Sequence, residues 1–287
     1  GLVYAYAENY CYMKPSFEMW LRYQAGDIGE VQYGEAEYIH DCSAEWANLT
    51  YGEKDHWRNR EYATFYCTHS LGPLLMITGQ RPIRVVGFET NPNREKKQMD
   101  IGCIMGAGIE MVTLENGAVL KSVHGYLKHE PAATNFMVYG TKGMMESDRY
   151  GSAPFNQYIE GEKLCQGDWK HYDPEIEVAK DAAVKVEGHG GSDFYPTHFF
   201  IEKILGREDG KWSIDVYQAS DMGMCGILAH RSAISGNTPF AVPDFRNKEE
   251  RDAYRNDNAC TSPEVAGDQV LPLSAFPRPD FPDSLYD

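Results

Sequence analysis

Residues 101–125 read IGCIMGAGIEMVTLENGAVLKSVHG, two apolar runs on either side of Asn116-Gly117. Asn-Gly supplies the left-handed backbone of a tight two-residue turn, so the stretch predicts a hairpin of two strands, 101–115 and 118–128. Working outward, strands are expected over 83–90, 135–140 and 143–147, with Gly140-Thr141-Lys142-Gly143 as a second turn and a third hairpin around 160–163. On the N-terminal side, 3–7 reads as a short buried strand, and 9–25 as a helix with Phe17, Trp20, Leu21 and Gln24 at helical spacing and Pro15 near its start. Residues 29–40 read as a strand with Val31, Tyr33, Glu35 and Glu37 on one side, and the two carboxylates make that side a wet face or cleft wall. The polar, Trp-containing segment 41–61 has no period and reads as a long functional loop. Residues 64–79 read as a helix with Leu71, Leu74, Leu75 and Ile77 inward, and Pro73 calls for an early-turn position. Beyond the strands, 192–205 is a helix with Phe194, His198, Ile201 and Leu205 on one stripe, and 213–235 is a Ser/Asp-capped helix stopped by Gly236. Strand–helix, then consecutive strands, then helices predicts an α+β fold: a large, mostly antiparallel open sheet with helices on one face, not an alternating doubly wound fold.

The chain has 287 residues, 27 Lys plus Arg and 43 Asp plus Glu, a formal charge of −16. That balance argues against nucleic-acid binding, which needs a cationic surface, and against docking on anionic lipid. No apolar run approaches the ~20 residues that cross a bilayer, so no membrane association is expected. The start, Gly-Leu-Val-Tyr, lacks Met and shows no secretion signal. Seven cysteines without a C-x-x-C pair fit free thiols in a reducing compartment, hence a cytoplasmic location.

Gly106-Ala107-Gly108 resembles a dinucleotide fingerprint only superficially. Met111 stands at the third glycine position and the segment runs on into a strand, not a helix aimed at a pyrophosphate. Its glycines read better as a bulge or a close strand contact. No P-loop, H-E-x-x-H or nucleophile elbow is present, and His189, Asp193 and His198 lack a metal-ligand spacing. Tyr66 and His69 share a helical face, where an imidazole passes protons and a phenol holds a hydroxyl or an oxyanion, although that spacing taken alone favours a hydrogen-bonded structural histidine at a helix start. Glu8 and Asn9 close the first strand, as site residues or as a plain helix cap, and Tyr38 and His40 lie on the next strand with the same outlook. The turn 188–193 offers free amides plus His189 and Asp193 to a ligand, or simply a tight turn into a helix. In the long loop, Trp57 is a stacking platform for a sugar ring and Arg58 and Arg60 supply planar donors, unless the loop is merely solvated.

Ala7-Glu8-Asn9-Tyr10, Gly26-x-x-Gly29-Glu30-Val31, Thr68-His69-Ser70-Leu71-Gly72-Pro73, Gly140-Thr141-Lys142-Gly143, the 188–193 turn and Asp215-Val216-Tyr217 occur in one order. As a set they resemble the C-terminal part of the Gfo/Idh/MocA oxidoreductases, with wording most similar to the NAD-dependent glycoside hydrolase branch that includes α-N-acetylgalactosaminidases. The resemblance covers nearly the whole chain. It implies a sheet domain that contacts a sugar or glycoside and pairs between subunits through its open face, giving a homo-oligomer. It also implies NAD or NADP as cofactor, held mainly by an N-terminal Rossmann domain that this chain lacks, together with the Glu-Lys-Pro segment that precedes the sheet domain in relatives. A fragment, a proteolysed form and a natural domain-only protein all match that departure, and the chain alone is expected to be inactive. On this basis residues 1–8 are the remnant of the missing domain's last strand, 9–245 the substrate and oligomerisation domain, and 246–287 an extended tail. The resemblance matches His69 to the catalytic histidine, Tyr66 to its helical neighbour, Glu8 and Tyr38 to positions near the nicotinamide and sugar, and His189 to the turn histidine beside the substrate. Together with the residue readings above, His69, Tyr66 and Glu8 are the candidates for catalysis, Glu8 and Asn9 for the cofactor, and Tyr38, Arg58, Arg60, His189 and Asp193 for the substrate. It implies hydride removal from a sugar carbon, with or without elimination of the glycosidic group. The alternative is a carbohydrate-binding or assembly module without enzyme activity.

Overall fold

The computed structural model describes residues 1–42, 44–92, 106–127, 132–149, 155–160, 170–186, 188–277 and 283–285. Its helices are α1 (Lys14–Gln24), α2 (Trp46–Thr50), α3 (Thr68–Thr78), α4 (Lys180–Ala183), α5 (Phe194–Ile204), α6 (Val216–Ile234), α7 (Lys248–Ala253) and α8 (Pro263–Ala266). Its strands are β1 (Val31–Ile39), β2 (Pro82–Glu89), β3 (Ala107–Leu114), β4 (Val119–Gly125), β5 (Ala133–Gly140), β6 (Gly143–Ser147), β7 (Phe155–Ile159), β8 (Lys170–Tyr172) and β9 (Phe240–Ala241).

The Asn116-Gly117 hairpin forms, with Val112 of β3 opposite Leu120 of β4. Among the described residues it sits in one nine-stranded sheet ordered β8-β7-β6-β5-β1-β4-β3-β2-β9. Neighbours are antiparallel except β1 and β4, which run parallel with Tyr38 beside His124. The α+β class, the mostly antiparallel sheet and the helices on one face are as the sequence predicts. The expected strand segment 101–105, residue 128 and the 161–163 part of the third hairpin lie outside the described residues.

α3 lies over β1, β4 and β5, and α6 over β2 and β3. Leu71, Leu74, Val112, Leu120 and Phe136 fill the layer between, each almost wholly buried; burying such a side chain contributes roughly 1.5–3 kcal/mol. Two close approaches fix the helix layer. A Cβ on Gly87 would lie 2.0 Å from the Ala229 carbonyl oxygen of α6, and one on Gly108 would lie 2.4 Å from that of Ala63. The glycines at 106–108 therefore serve strand packing, not a phosphate. On the opposite face, Lys121 Nζ meets Glu35 at 2.8 Å and the Tyr33 and Tyr139 rings lie 6.1 Å apart.

Several local expectations are corrected. Residues 3–7 form no buried strand: Val3 and Tyr4 are exposed, and a single bridge joins Tyr6 to Ile214, because no neighbouring strand is there to pair with among the described residues. The 9–25 helix is two pieces, a 3-10 turn over Asn9–Tyr12 and then α1 after an extended Met13. Pro15 fits only a first turn, so the helix restarts beside it. Val31 leaves the side of Tyr33 and Glu35 for the core, because a bulge between Val31 and Tyr33 shifts the register. Within the 41–61 loop, α2 buries Trp46, whose indole nitrogen donates to Asn59 Oδ1 at 2.9 Å. Pro73 lies inside α3, past its first turn, and supplies no amide to the carbonyl of His69 one turn back. In α5 it is Tyr195 and Phe199 that face inward, while Ile201 and Leu205 stay exposed. β7 and β8 pair antiparallel on either side of the expected third hairpin, and the short strand β9 extends the sheet beyond the sequence reading.

Candidate functional site

Three elements meet at the N-terminus of α3. The 3-10 turn over Asn9–Tyr12 is capped by Glu8, whose Oε1 accepts from the Tyr10 amide at 3.2 Å. The same oxygen lies 2.7 Å from Nδ1 of His69, near the start of α3. Glu8 is 2% exposed and the His69 side chain 22%, so the carboxylate is sealed below an imidazole that keeps an open edge. β1 brings Tyr38 to the same place, its ring 4.9 Å from His69 and 5.2 Å from Tyr10. Tyr66, in the turn before α3, lies 5.5 Å from His69 and 6.4 Å from Tyr38 between ring centres.

Arg58 comes from a 3-10 turn over Trp57–Arg60. Its Nη1 donates to the Tyr66 hydroxyl at 2.8 Å and to Glu61 Oε1 at 3.3 Å. Guanidinium has donors only, so the Tyr66 oxygen must accept and its own proton is free for another partner. The Arg58 guanidinium also lies 4.6 Å over the Trp57 ring. Behind it, Glu61 is 2% exposed and accepts from the Tyr126 hydroxyl at 3.4 Å. Burial outweighs the attraction of Arg58 and pushes the Glu61 carboxyl up to about 7.

The 188–193 turn closes another side. His189 holds φ +43° between Gly188 at +104° and Gly190 at +64°, a conformation that is uncommon for a residue with a side chain. Its Nδ1 lies 2.9 Å from Asp193, which also accepts from Asn9 Nδ2 at 2.5 Å. Partial burial acts to raise the Asp193 carboxyl, but the hydrogen bonds from His189 and Asn9 hold it below its ordinary value. The Tyr10 ring, 5.6 Å from His189 and 4.5 Å from His69, joins the two halves. Burial pushes the Tyr10 phenol up to about 12 and raises that of Tyr38 as well, so both remain neutral donors near neutral pH.

The structure thus brings together Glu8, Tyr38, Arg58, Tyr66, His69, His189 and Asp193, with Asn9 as the link to Asp193. Arg60 is not brought in. It turns the other way and pairs with Glu264 at 2.8 Å, because successive residues of a 3-10 turn point to different sides. Tyr10, Glu61 and Tyr126 were missed as site residues. The Arg58-x-x-Glu61 spacing was the available signal for Glu61; nothing local marked Tyr126. His40 stacks parallel to Tyr38 with ring centres 6.0 Å apart, and its Nδ1 lies 2.7 Å from the sulfur of Cys42. Among the described residues no three His, Cys, Asp or Glu side chains are grouped to hold a metal, and no helix is long and apolar enough to cross a membrane.

The arrangement is an acid–base pair under a cage of neutral phenols with a guanidinium at one side, and it sits on a sheet domain known from sugar dehydrogenases. Levoglucosan dehydrogenase in complex with NADH and levoglucosan superposes with a TM-score of 0.61 at 16% identity, covering 83% of this chain and 66% of that one. An inositol dehydrogenase homologue from Azotobacter vinelandii, with NADH and myo-inositol, gives 0.61 at 14% identity, 83% and 64%. These likenesses establish the fold. The family model for the glycosyl hydrolase 109 C-terminal domain matches residues 86–251, and the chain belongs to that family. Among relatives, glycosyl hydrolase family 109 protein 1 of Phocaeicola vulgatus is 26% identical over 263 residues, covering 77% of this chain and 53% of the relative. The alpha-N-acetylgalactosaminidase of Tannerella forsythia is 24% identical over 283 residues, covering 83% and 58%. The chain spans little more than half the length of these relatives.

Proposed function

We propose that this chain is the substrate-side domain of a redox-type glycosidase or sugar oxidoreductase using NAD or NADP, with an α-N-acetylgalactosaminide as the first substrate to test. The observation that carries the reading is the 2.7 Å contact between buried Glu8 and the open imidazole of His69, roofed by Tyr38 and Tyr66. Glu8 fixes the ring's orientation, which suits His69 to take a proton from a sugar hydroxyl. Tyr66, whose oxygen is occupied by Arg58, turns its proton to a substrate oxygen. Asp193 and His189 bound the far side of the sugar.

When bound, the nicotinamide supplies reversible hydride transfer at a ring carbon. The resemblance supports Glu8 and Asn9 as the residues that would contact its ring. Among the described residues no glycine-rich turn leads from a parallel strand into a helix as a pyrophosphate cradle requires. In the glycosidase outcome the adjacent C–H, acidified by the oxidised carbon, gives up its proton to a base on this chain. The glycosidic oxygen would then leave and take up a proton, water would add across the double bond so formed, and the hydride would return to the oxidised carbon, a route unlike the two-carboxylate one. A dehydrogenase stops after the oxidation.

Supporting a cytoplasmic setting, the described cysteines 11, 42, 67, 225 and 260 are all free. Supporting self-association, the open sheet face carries Phe88, Tyr139 and Tyr158 in partly exposed positions. Saturation-transfer NMR with an α-N-acetylgalactosaminide should show binding to the wild-type chain and at least tenfold weaker binding to His69→Ala. Undiminished binding by His69→Ala removes the proposed site. Tight NAD(H) binding by this chain in calorimetry would argue against the alternative of a module without a cofactor role.

A further inference from the structure

A cavity lies between residues 57–65, α6 and the C-terminal tail. It measures about 270 Å³, and Trp57, Tyr62, Phe65, Ile227 and Leu271 form its apolar walls. Dry apolar cavities of ~150 Å³ accept a benzene ring, so this one has room for a single six-membered ring with a short substituent.

The cavity is a built one. Its outer wall is the tail, which is pinned to the inner wall at several points. Arg60 grips both oxygens of Glu264 at 2.8 and 3.1 Å, and the Thr261 hydroxyl donates to the Arg60 carbonyl at 2.6 Å. His230 donates from Nε2 to the Pro272 carbonyl at 2.9 Å while stacking on Tyr62 with centroids 4.3 Å apart. Burial lowers the His230 imidazole to about 4, so that ring is uncharged at neutral pH.

The cavity also adjoins the sugar site through shared side chains. Tyr66 packs edge-on against Phe65 at 5.6 Å, and Phe65 lies 5.7 Å from Tyr62 and 6.0 Å from Trp57. Glu61 lines the cavity and also holds Arg58, whose same Nη1 donates to Tyr66. Trp57 and Phe65 keep 53% and 41% of their surface open.

We infer that this cavity is an aglycone site, taking an apolar aryl ring on the leaving-group side of a glycoside whose sugar rests against His69. A second sugar suits it poorly, because most of its hydroxyls would be desolvated against walls with few polar partners. The inference rests on the sugar reading above and adds the class of the leaving group to it.

The test compares three probes on the full chain by calorimetry: N-acetylgalactosamine, 4-nitrophenyl α-N-acetylgalactosaminide and 4-nitrophenol. The aryl glycoside should bind at least tenfold more tightly than the free sugar. Leu271→Trp, which fills the cavity, and Phe65→Ala, which removes the half-exposed ring at its border, should each abolish that advantage and leave affinity for the free sugar unchanged. Phe65→Ala keeps the test open should Leu271→Trp fail to fold. Equal wild-type affinity for sugar and aryl glycoside overturns the inference, as does an advantage that survives both variants. If the free sugar does not bind, while the aryl glycoside and 4-nitrophenol bind alike and lose affinity in both variants, the sugar reading falls. The cavity then stands as an apolar-ring site and its aglycone role is overturned.

Discussion

Replacing Glu61 with Gln should stabilise the protein at neutral and alkaline pH, although it removes one side of an ion pair. Glu61 is 2% exposed, its attraction to Arg58 acts across 3.3 Å, and burial still prevails, raising the carboxyl from 4.5 to about 7. Between those two values the folded chain binds more protons at this site than the unfolded chain does. Stability contributed by the site therefore falls as pH rises through that window and is flat outside it. At about 1.4 kcal/mol per factor of ten, the full penalty above the window is on the order of 3 kcal/mol. Gln mimics the protonated acid and carries no such penalty. Urea unfolding of wild type and Glu61→Gln at pH 4.5, 6 and 8 reads the difference directly, and other titrating groups cancel between the two proteins. The variant should match wild type near pH 4.5 and exceed it by roughly 2–3 kcal/mol at pH 8. A difference that does not grow with pH, or a variant weaker at pH 8, refutes the argument that burial dominates at this carboxylate.

Glu8→Gln should cut affinity for an α-N-acetylgalactosaminide by about tenfold or more, since a charge-assisted hydrogen bond worth roughly 1.5–3 kcal/mol to the His69 ring is replaced by a neutral one; unchanged binding in calorimetry would show that the ring is held by packing alone. Gly87→Ala must lift α6 from β2, given the 2.0 Å approach to the Ala229 oxygen, and should cost about 1–3 kcal/mol in urea unfolding. Asp215→Ala removes a capping box in which Asp215 accepts from the Tyr217 and Gln218 amides and Gln218 returns a bond to the Asp215 amide, a loss of about 1 kcal/mol in thermal unfolding. Light scattering at micromolar concentration should report a dimer or larger, and Tyr139→Lys with Tyr158→Lys should shift it toward monomer.

Much of this fold was legible because its signals are local. The Asn-Gly turn, the alternation along β1 and the glycine stops each depend on a few adjacent residues. Glu8, Tyr38, Tyr66 and His69 were readable as polar groups at element ends, although their convergence came only through resemblance. What escaped was set over longer range or by weak patterns. The parallel pairing of β1 with β4 joins strands more than 80 residues apart, and no local pattern encodes it. β9 is only Phe240-Ala241, too short to stand out. Arg58 and Arg60 look alike in sequence, yet a tight turn sends one to Tyr66 and the other to Glu264. Glu61 was hidden for another reason: a carboxylate in a polar loop reads as solvated, whereas the fold buries it with the Tyr126 hydroxyl bonded to it.

β1 separates two environments, with Tyr38 among the site's rings and Glu35 and Glu37 on the uncovered side of the sheet. A shift of one residue would trade their places, driving two carboxylates under α3 and turning the phenol out to water. This strand therefore has no forgiving misalignment. A chain that pairs it wrongly meets charge burial at once, so such an error should dissolve early in folding, before the helices settle over it.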